Sequence, residues 1–310
     1  MAGQPFPQNP ELIGVVNAYK NGTLIADQVL PRLMPYVSAE KFLWWFFDFA
    51  QFLTVPDSKV GRKGQPNVVE IQAEEKTDRT EDHGFDASIP LADINNAPKG
   101  YDPRSAHAQL LIDLVELARE ARVAGMVFDP DNYSAENQEE LVGTSKWSSE
   151  ESKPIIQFAE AADKLIVRPK HAVLGRQAWT ALRTNPSMLK SLTPSGVSEG
   201  MANLRAVADK LELDDIYVGE ARLNFAKPGQ QPQLLRAWGN HCLLFHKAPG
   251  ANSQIATPTF GWTAQFGPRV AGNWFDEKIG LRGGEWVRSG ESVKEVIAAP
   301  DLGYFFENVI

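Results

Sequence analysis

The sequence predicts an α+β chain, and three observations carry that expectation. A long amphipathic helical pattern starts at Asp102-Pro103 and runs to about residue 125. Shorter helical patterns follow between about 151 and 211. From Trp238 onward, apolar, β-branched and aromatic runs recur at 238–247, 259–266, 285–298 and 302–309, separated by Gly and Pro. Helices gathered mid-chain with antiparallel strands late describe an α+β arrangement, distinct from alternating βαβ units.

The elements follow in order. Residues 1–41 read as an arm, punctuated by Pro5, Pro7, Pro10, Pro31 and Pro35, with helical pattern only at about 11–20 and 23–30. Phe42, Trp44, Trp45, Phe46, Phe47, Phe49 and Phe52 come next. Placed on a helix they leave nearly every side apolar, which predicts burial on several sides against the fold or a neighbouring copy. From Pro56 to about Thr80 the composition turns polar, and the pattern predicts a long β-hairpin with strands near 67–75 and 83–91 and a basic tip at Arg62 and Lys63. The hairpin has too few apolar residues for a core of its own, and long polar excursions of this kind are functional or disordered.

Asp102 at the N-cap and Pro103 at the first helical position are a strong helix start. Ala106, Leu110, Leu114, Leu117, Ala118 and Ala121 recur at three- and four-residue spacing, widened by Leu111 and Val115. At 1.5 Å per residue this helix is about 33 Å long, a backbone for other elements to pack on. Residues 129–150 are polar and irregular, and a helix follows at about 151–165. Then come a strand at Ala172–Leu174, helices at Arg176–Arg183, Ser187–Leu192 and Glu199–Leu211, and a strand at Ile216–Val218. Pro228, Gly229 and Pro232 mark an exposed loop.

Composition bounds the function. The 310 residues are 43% hydrophobic and 23% charged, the profile of an ordinary globular protein of roughly two domains' length. A net charge of −8 argues against a large nucleic-acid-gripping surface, which needs clustered Lys and Arg. It leaves room for a container, because a wall that held the polymer tightly would hinder packing and release. Cys242 stands alone, so neither an intramolecular disulfide nor a multi-cysteine metal site is expected. The N-terminal residues lack a basic flank and an apolar core, so no secretory signal is expected. The apolar stretch 42–55 falls short of the roughly 20 residues a membrane span requires.

Five constellations carry residue types suited to chemistry, and the structural context decides each. Gly196-Val197-Ser198-Glu199-Gly200 matches the nucleophile elbow of α/β-hydrolases, with Asp214, Asp215, His241 and His246 following in the required order. The elbow needs a buried strand running into it, and the preceding residues 187–195 contain no β-branched run. Ser198 reads instead as the N-cap of a helix starting at Glu199. Asp129-Pro130-Asp131 with Glu140 suggests a calcium loop, but Tyr133 and Ser134 occupy two central positions, so a solvated acidic turn is expected. Cys242 and His241 are strand neighbours pointing to opposite faces, and His246 is about 13 Å further along, so the thiol reads as buried and inert. The stretch from Glu81 to Asp86, with His83, has no metal-ligand spacing. Gly61-Arg62-Lys63-Gly64 lacks phosphate-loop spacing. No catalytic, cofactor-binding or metal residue is expected, and the chain reads as a non-enzyme.

The order of these parts resembles the major capsid proteins of tailed bacteriophages, the Hong Kong 97-type fold. The segment from Asp102-Pro103 through Phe128-Asp129 to Asn132-Tyr133 looks like the spine helix and its exit in one branch of that family. The run 142–148, ending in Trp147-Ser148, looks like that branch's glycine-to-tryptophan turn, and the run 171–183 looks like its first axial strand and helix. The runs 215–221, 258–262 and 299–304 also match, so the likeness covers about 100–310, with agreement in architecture alone before that. The resemblance implies an N-terminal arm at 1–50, an extended E-loop hairpin at 51–90, a peripheral domain at 91–165 carrying the spine helix, an axial domain at 166–284 and C-terminal strands at 285–310. It implies self-assembly through homo-pentamers and homo-hexamers into an icosahedral shell enclosing double-stranded DNA, in the virion, after assembly in the host bacterial cytoplasm. Implied partners are further copies of the chain, a portal, and scaffold or decoration proteins; no membrane, cofactor or metal is implied. Lys59, Arg62, Lys63, Glu74, Arg79, Trp44 and Trp45 are the expected assembly contacts. The arm is short for an in-chain scaffolding segment, and no catalytic partner for an E-loop lysine cross-link is visible. The rivals are an encapsulin-type nanocompartment with the same fold, a serine hydrolase using Ser198, and a membrane-active protein built around residues 42–55.

Overall fold

A computed structural model describes residues 6–46, 55, 57–62, 64–65, 68, 74–193, 199–227, 229–248 and 259–310. The first helix, α1 (Pro10–Ala18), starts where local chemistry dictates: Pro10 occupies its first turn and the Asn9 side chain accepts from the Glu11 N–H. A single turn, α2 (Ala26–Val29), follows.

The aromatic run then departs from expectation. Its described part is a strand, β1 (Lys41–Phe46), and not a helix; residues 47–54 lie outside the described residues. The reason is the period-two split of a pleated strand: Phe42 and Trp44 are each 7% exposed, whereas Leu43 and Trp45 are 54% and 45% exposed. Aromatic side chains also favour the strand conformation. Antiparallel to it runs β2 (Glu74–Arg79), in register from Lys41↔Arg79 to Phe46↔Glu74. Of the expected strand near 67–75, residues 67 and 69–73 lie outside the described residues and 74–75 pair with β1, so the described hairpin strands are 41–46 and 74–79. The chain at β3 (Glu81–Pro90) instead leaves the hairpin and pairs with β12 (Gly284–Ile297), from Glu81↔Val293 to Pro90↔Gly284.

After a short α3 (Leu91–Asn95), the long helix α4 spans Pro103–Val127, with Asp102 accepting from the Arg104 and Ser105 N–H groups. Its buried residues include Ala108, Leu111, Ile112, Val115, Arg119, Glu120, Val123 and Ala124. The expected stripe was thus misplaced, since Leu110 and Leu114 are 56% and 43% exposed. The buried face carries two charges, Arg119 and Glu120, which a hydrophobic pattern counts as solvent-facing.

The remaining elements build two sheets. Strand β12 is the centre of one, flanked by β3, by β10 (Gly261–Gln265) and by β11 (Val270–Asp276). Helix α4 lies across β3 and β12, with Leu12, Val16, Ile89, Ile112, Val115 and Val287 forming the core between. The other sheet has the order β4 (Gln138–Glu140), β13 (Gly303–Glu307), β9 (Cys242–Phe245), β5 (His171–Gly175), β6 (Asp215–Gly219). It is covered by α5 (Pro154–Lys164), α6 (Arg176–Thr184), α7 (Pro186–Leu192) and α8 (Leu204–Lys210), around Trp147, Phe158, Trp179, Leu244 and Phe306. The strand pairing crosses the expected boundaries: 261–276 joins β12, whereas 303–307 joins the five-stranded sheet. Helix α8 begins at Leu204 with Asn203 accepting from the Arg205 N–H, so the expected start at Glu199 is corrected; Ser198 lies outside the described residues. Val123, Ala124 and Val127 at the end of α4 pack on Trp238, Leu243, Phe245 and Phe305, which joins the two halves. A two-stranded ribbon, β7 (Arg222–Asn224) with β8 (Leu234–Arg236), was not anticipated.

Candidate assembly surfaces

Buried charge clamps the segment from α1 to Leu33 onto the body of its own chain. Helix α4 supplies Arg119, 2% exposed, which donates to the Asp27 carboxylate at 2.6 Å, the Leu30 carbonyl at 3.0 Å and Thr263 Oγ1 at 2.9 Å. The next residue, Glu120, is 0% exposed and accepts from the backbone N–H groups of Ile25 at 3.0 Å and Ala26 at 2.7 Å, and from Trp238 Nε1 at 2.6 Å. Arg32 donates to Glu291 at 2.7 Å and to Asp27 at 3.0 Å. Arg269 donates to Glu291 at 3.3 Å, to the Val16 carbonyl at 3.0 Å and to Glu116.

The electrostatics follow from who faces whom. Burial pushes the Glu120 carboxyl above its ordinary value despite its three N–H donors, and burial raises Glu116 against the pull of Arg269. Burial also acts on Asp27 and Glu291, but the facing arginines outweigh it and hold both carboxyls below the usual range. Removing one partner from such a cluster strands a buried charge, which costs about 3–5 kcal/mol in comparable cases. Residues 9–33, which fall within the expected arm, are therefore clamped onto the body of their own chain. Sequence reasoning missed this cluster. The available signal was the four-residue spacing Val115, Arg119, Val123, which puts an arginine on an apolar face.

The β1–β2 ribbon is a different kind of surface. Trp44 points inward, its ring 5.9 Å from that of Trp262 and edge-on, so this expected contact residue is used within the chain. Trp45 and Leu43 on the opposite face are uncovered. Arg79 pairs with Glu40 at 2.8 Å, and Glu74 sits 4.0 Å from Lys76, whose ammonium lies 4.2 Å from the Phe46 ring centre. The strands bring Trp44, Trp45, Glu74 and Arg79 onto one ribbon. Lys59 and Arg62 fall in the polar segment between its strands, where the Lys59 N–H donates to Asp57; Lys63 lies outside the described residues.

The residues of types suited to other chemistry have structural roles. Asp129 caps a 3-10 turn at Pro130–Asn132, and Glu81 and Asp86 pair with Lys294 and Arg288. Cys242 is buried and burial pushes its thiol up, while His241 accepts from the Asn308 N–H at 3.2 Å. Among the described residues, no helix is long and apolar enough to cross a membrane.

Comparison with known proteins agrees with this architecture. Residues 131–245 match the family described as phage major capsid protein E. Over 310 residues, 100% of this chain and 99% of its relative, the sequence is 47% identical to the major capsid protein of Pseudomonas phage JBD67. Among solved structures, a phage-related protein from Bordetella bronchiseptica RB50 superposes with a TM-score of 0.76 at 20% identity, over 99% of both chains. The capsid of cyanophage P-SCSP1u does so with a TM-score of 0.57 at 10% identity, over 99% of this chain and 91% of that one. Sharing its full length with a phage major capsid protein and its fold with solved shells, the chain belongs to the bacteriophage major capsid proteins and has the Hong Kong 97-type fold.

Proposed function

We propose that copies of this shell subunit close through pentamers and hexamers into an icosahedral capsid around double-stranded DNA, with the β1–β2 hairpin and its connecting segment lying across the adjacent subunit. One observation carries the reading: Leu43 and Trp45 are 54% and 45% exposed on a two-stranded ribbon whose other face alone packs on the core among the described residues. Neighbouring large apolar side chains left open to solvent mark an interaction surface, and a second copy covers them. Glu74 and Arg79, on the same ribbon, are the proposed charged contacts, with Lys59, Arg62 and Lys63 in the sequence between its strands as further ones; Trp44 packs on Trp262 from the opposite face. The mechanism is burial and geometry: interlocked shells of this kind bury thousands of square ångströms and are obligate. The net charge of −8 suits a wall that encloses nucleic acid without gripping it. A portal, with scaffold or decoration proteins, completes the expected set of partners, and assembly takes place in the host cytoplasm.

The test is deletion of residues 59–67. The expected product is a folded monomer that forms no closed shells; normal particles from this variant overturn the hairpin's role.

A further inference from the structure

The β7–β8 ribbon stands at the end of the five-stranded sheet, and its base is rigidly held. Trp238, just past β8, is 0% exposed, donates to Glu120, and lies so close to Gly219 that a Cβ there would sit 2.1 Å from the indole ring. Beyond that base, among the described residues, the ribbon has little of its own chain to pack on. Each strand has three residues, and Phe225, Leu234 and Leu235 are 62%, 55% and 59% exposed. A bare two-stranded ribbon is marginal in water.

Its charges are also incomplete. Arg222 and Arg236 are cross-strand partners, directly opposite each other. Like charges in that position destabilise a ribbon unless an anion lies between them. Neither guanidinium has a hydrogen bond or ion pair among the described residues, and the nearby Glu220 is already engaged by Arg176 at 2.8 Å. The two arginines border a cleft of about 580 Å³ that Gln177, Asn240, His241 and Asn308 line with further hydrogen-bonding groups.

We propose that this ribbon is a contact element between subunits: Arg222 and Arg236 receive a carboxylate from a second copy, and that copy covers Leu234 and Leu235. The inference rests on the shell-forming reading and deepens it. Charge favours a second copy as the occupant, because 39 acidic side chains stand against 31 basic ones and adjacent subunits repel unless basic elements meet acidic ones. The contact is heterologous, ribbon to a different patch on the next subunit, which is the form that closes rings.

Two variants of the full chain, carried in the phage genome, test it. Arg222→Ala/Arg236→Ala is expected to keep the wild-type melting profile, since both side chains lie outside the core, while particle yield drops by about tenfold or more because every interface loses its charge-assisted contacts. Arg222→Lys/Arg236→Lys introduces amines, and carbodiimide treatment of its particles joins a lysine amine to a touching carboxylate as an amide with loss of water, the carbodiimide taking up that water as its urea. The expected result is a ladder of covalent multimers that includes a junction peptide containing residue 222 or 236, a junction absent from treated wild-type particles. Wild-type yields from the alanine variant, or lysine-variant particles with no such ladder, overturn the proposal while leaving the capsid assignment intact. Loss confined to DNA-filled particles, with empty shells forming normally, also overturns it, because the anion is then a nucleic-acid phosphate.

Discussion

Glu120→Gln isolates the clamp between the arm and the body. The carboxylate accepts three N–H donors at once, from Ile25, Ala26 and Trp238, in a site with no solvent access. Glutamine keeps the shape but offers one oxygen, and turns an NH2 group toward the remaining donors. At least one buried N–H then has no acceptor, at a cost of about 1–3 kcal/mol. At roughly 2–4 °C per kcal/mol for chains of this order, the melting temperature falls by about 2–12 °C. Glu120→Ala strands all three donors and falls further, to the point where the arm detaches. Hydrogen exchange on the subunit resolves the site directly: the amides of Ile25 and Ala26 should lose protection in Glu120→Gln while the β12 amides keep theirs. An unchanged melting temperature with unchanged protection at both amides would refute the reasoning, and would mean that the desolvation cost of the buried carboxylate cancels its hydrogen bonds.

Three further outcomes follow from the same geometry. Trp44→Ala should destabilise the isolated subunit by about 3–5 kcal/mol, because a nearly buried ring against Trp262 leaves a cavity. Trp45→Ala should leave the melting curve within about 0.5 kcal/mol of wild type, as surface changes do, and reduce shell yield; a thermal melt paired with particle counts separates the two. His171 is held at about 4 by burial and by the cation of Lys247, against the pull of Asp215 and Asp214. A depressed folded value means stability present above the ordinary histidine value of 6.5 and lost as pH falls toward 4, roughly 3 kcal/mol at 1.36 kcal/mol per unit. His171→Phe should flatten that part of the stability profile and cost little at neutral pH, since Nδ1 has no hydrogen-bond partner and the ring already stacks on Tyr217; an unflattened profile assigns the acid sensitivity elsewhere.

What could be read from the sequence was local. The start of α4 was legible because Asp102 and Pro103 act on their own helix, and β5 with α6 was legible because a continuous buried run ends at Gly175 and an amphipathic helix follows. What failed was non-local. Residues 81–90 pair with a strand about 200 residues away, and neither propensity nor turn chemistry carries that register. The buried face of α4 was missed because Arg119 and Glu120 satisfy their charges on Asp27, Ile25 and Ala26, partners that no hydrophobic period reveals. In the candidate site, the exposed character of Trp45 follows from strand alternation, whereas the inward role of Trp44 depends on Trp262 being brought beside it.

Cryo-electron microscopy of purified particles tests the central claim most directly. The account predicts closed icosahedral shells of pentamers and hexamers in which Leu43 and Trp45 of each hairpin are buried against the adjacent subunit, while residues 9–33 remain clamped to their own α4. Shells in which the hairpin touches no neighbour, or in which residues 9–33 cross to another subunit, would contradict it.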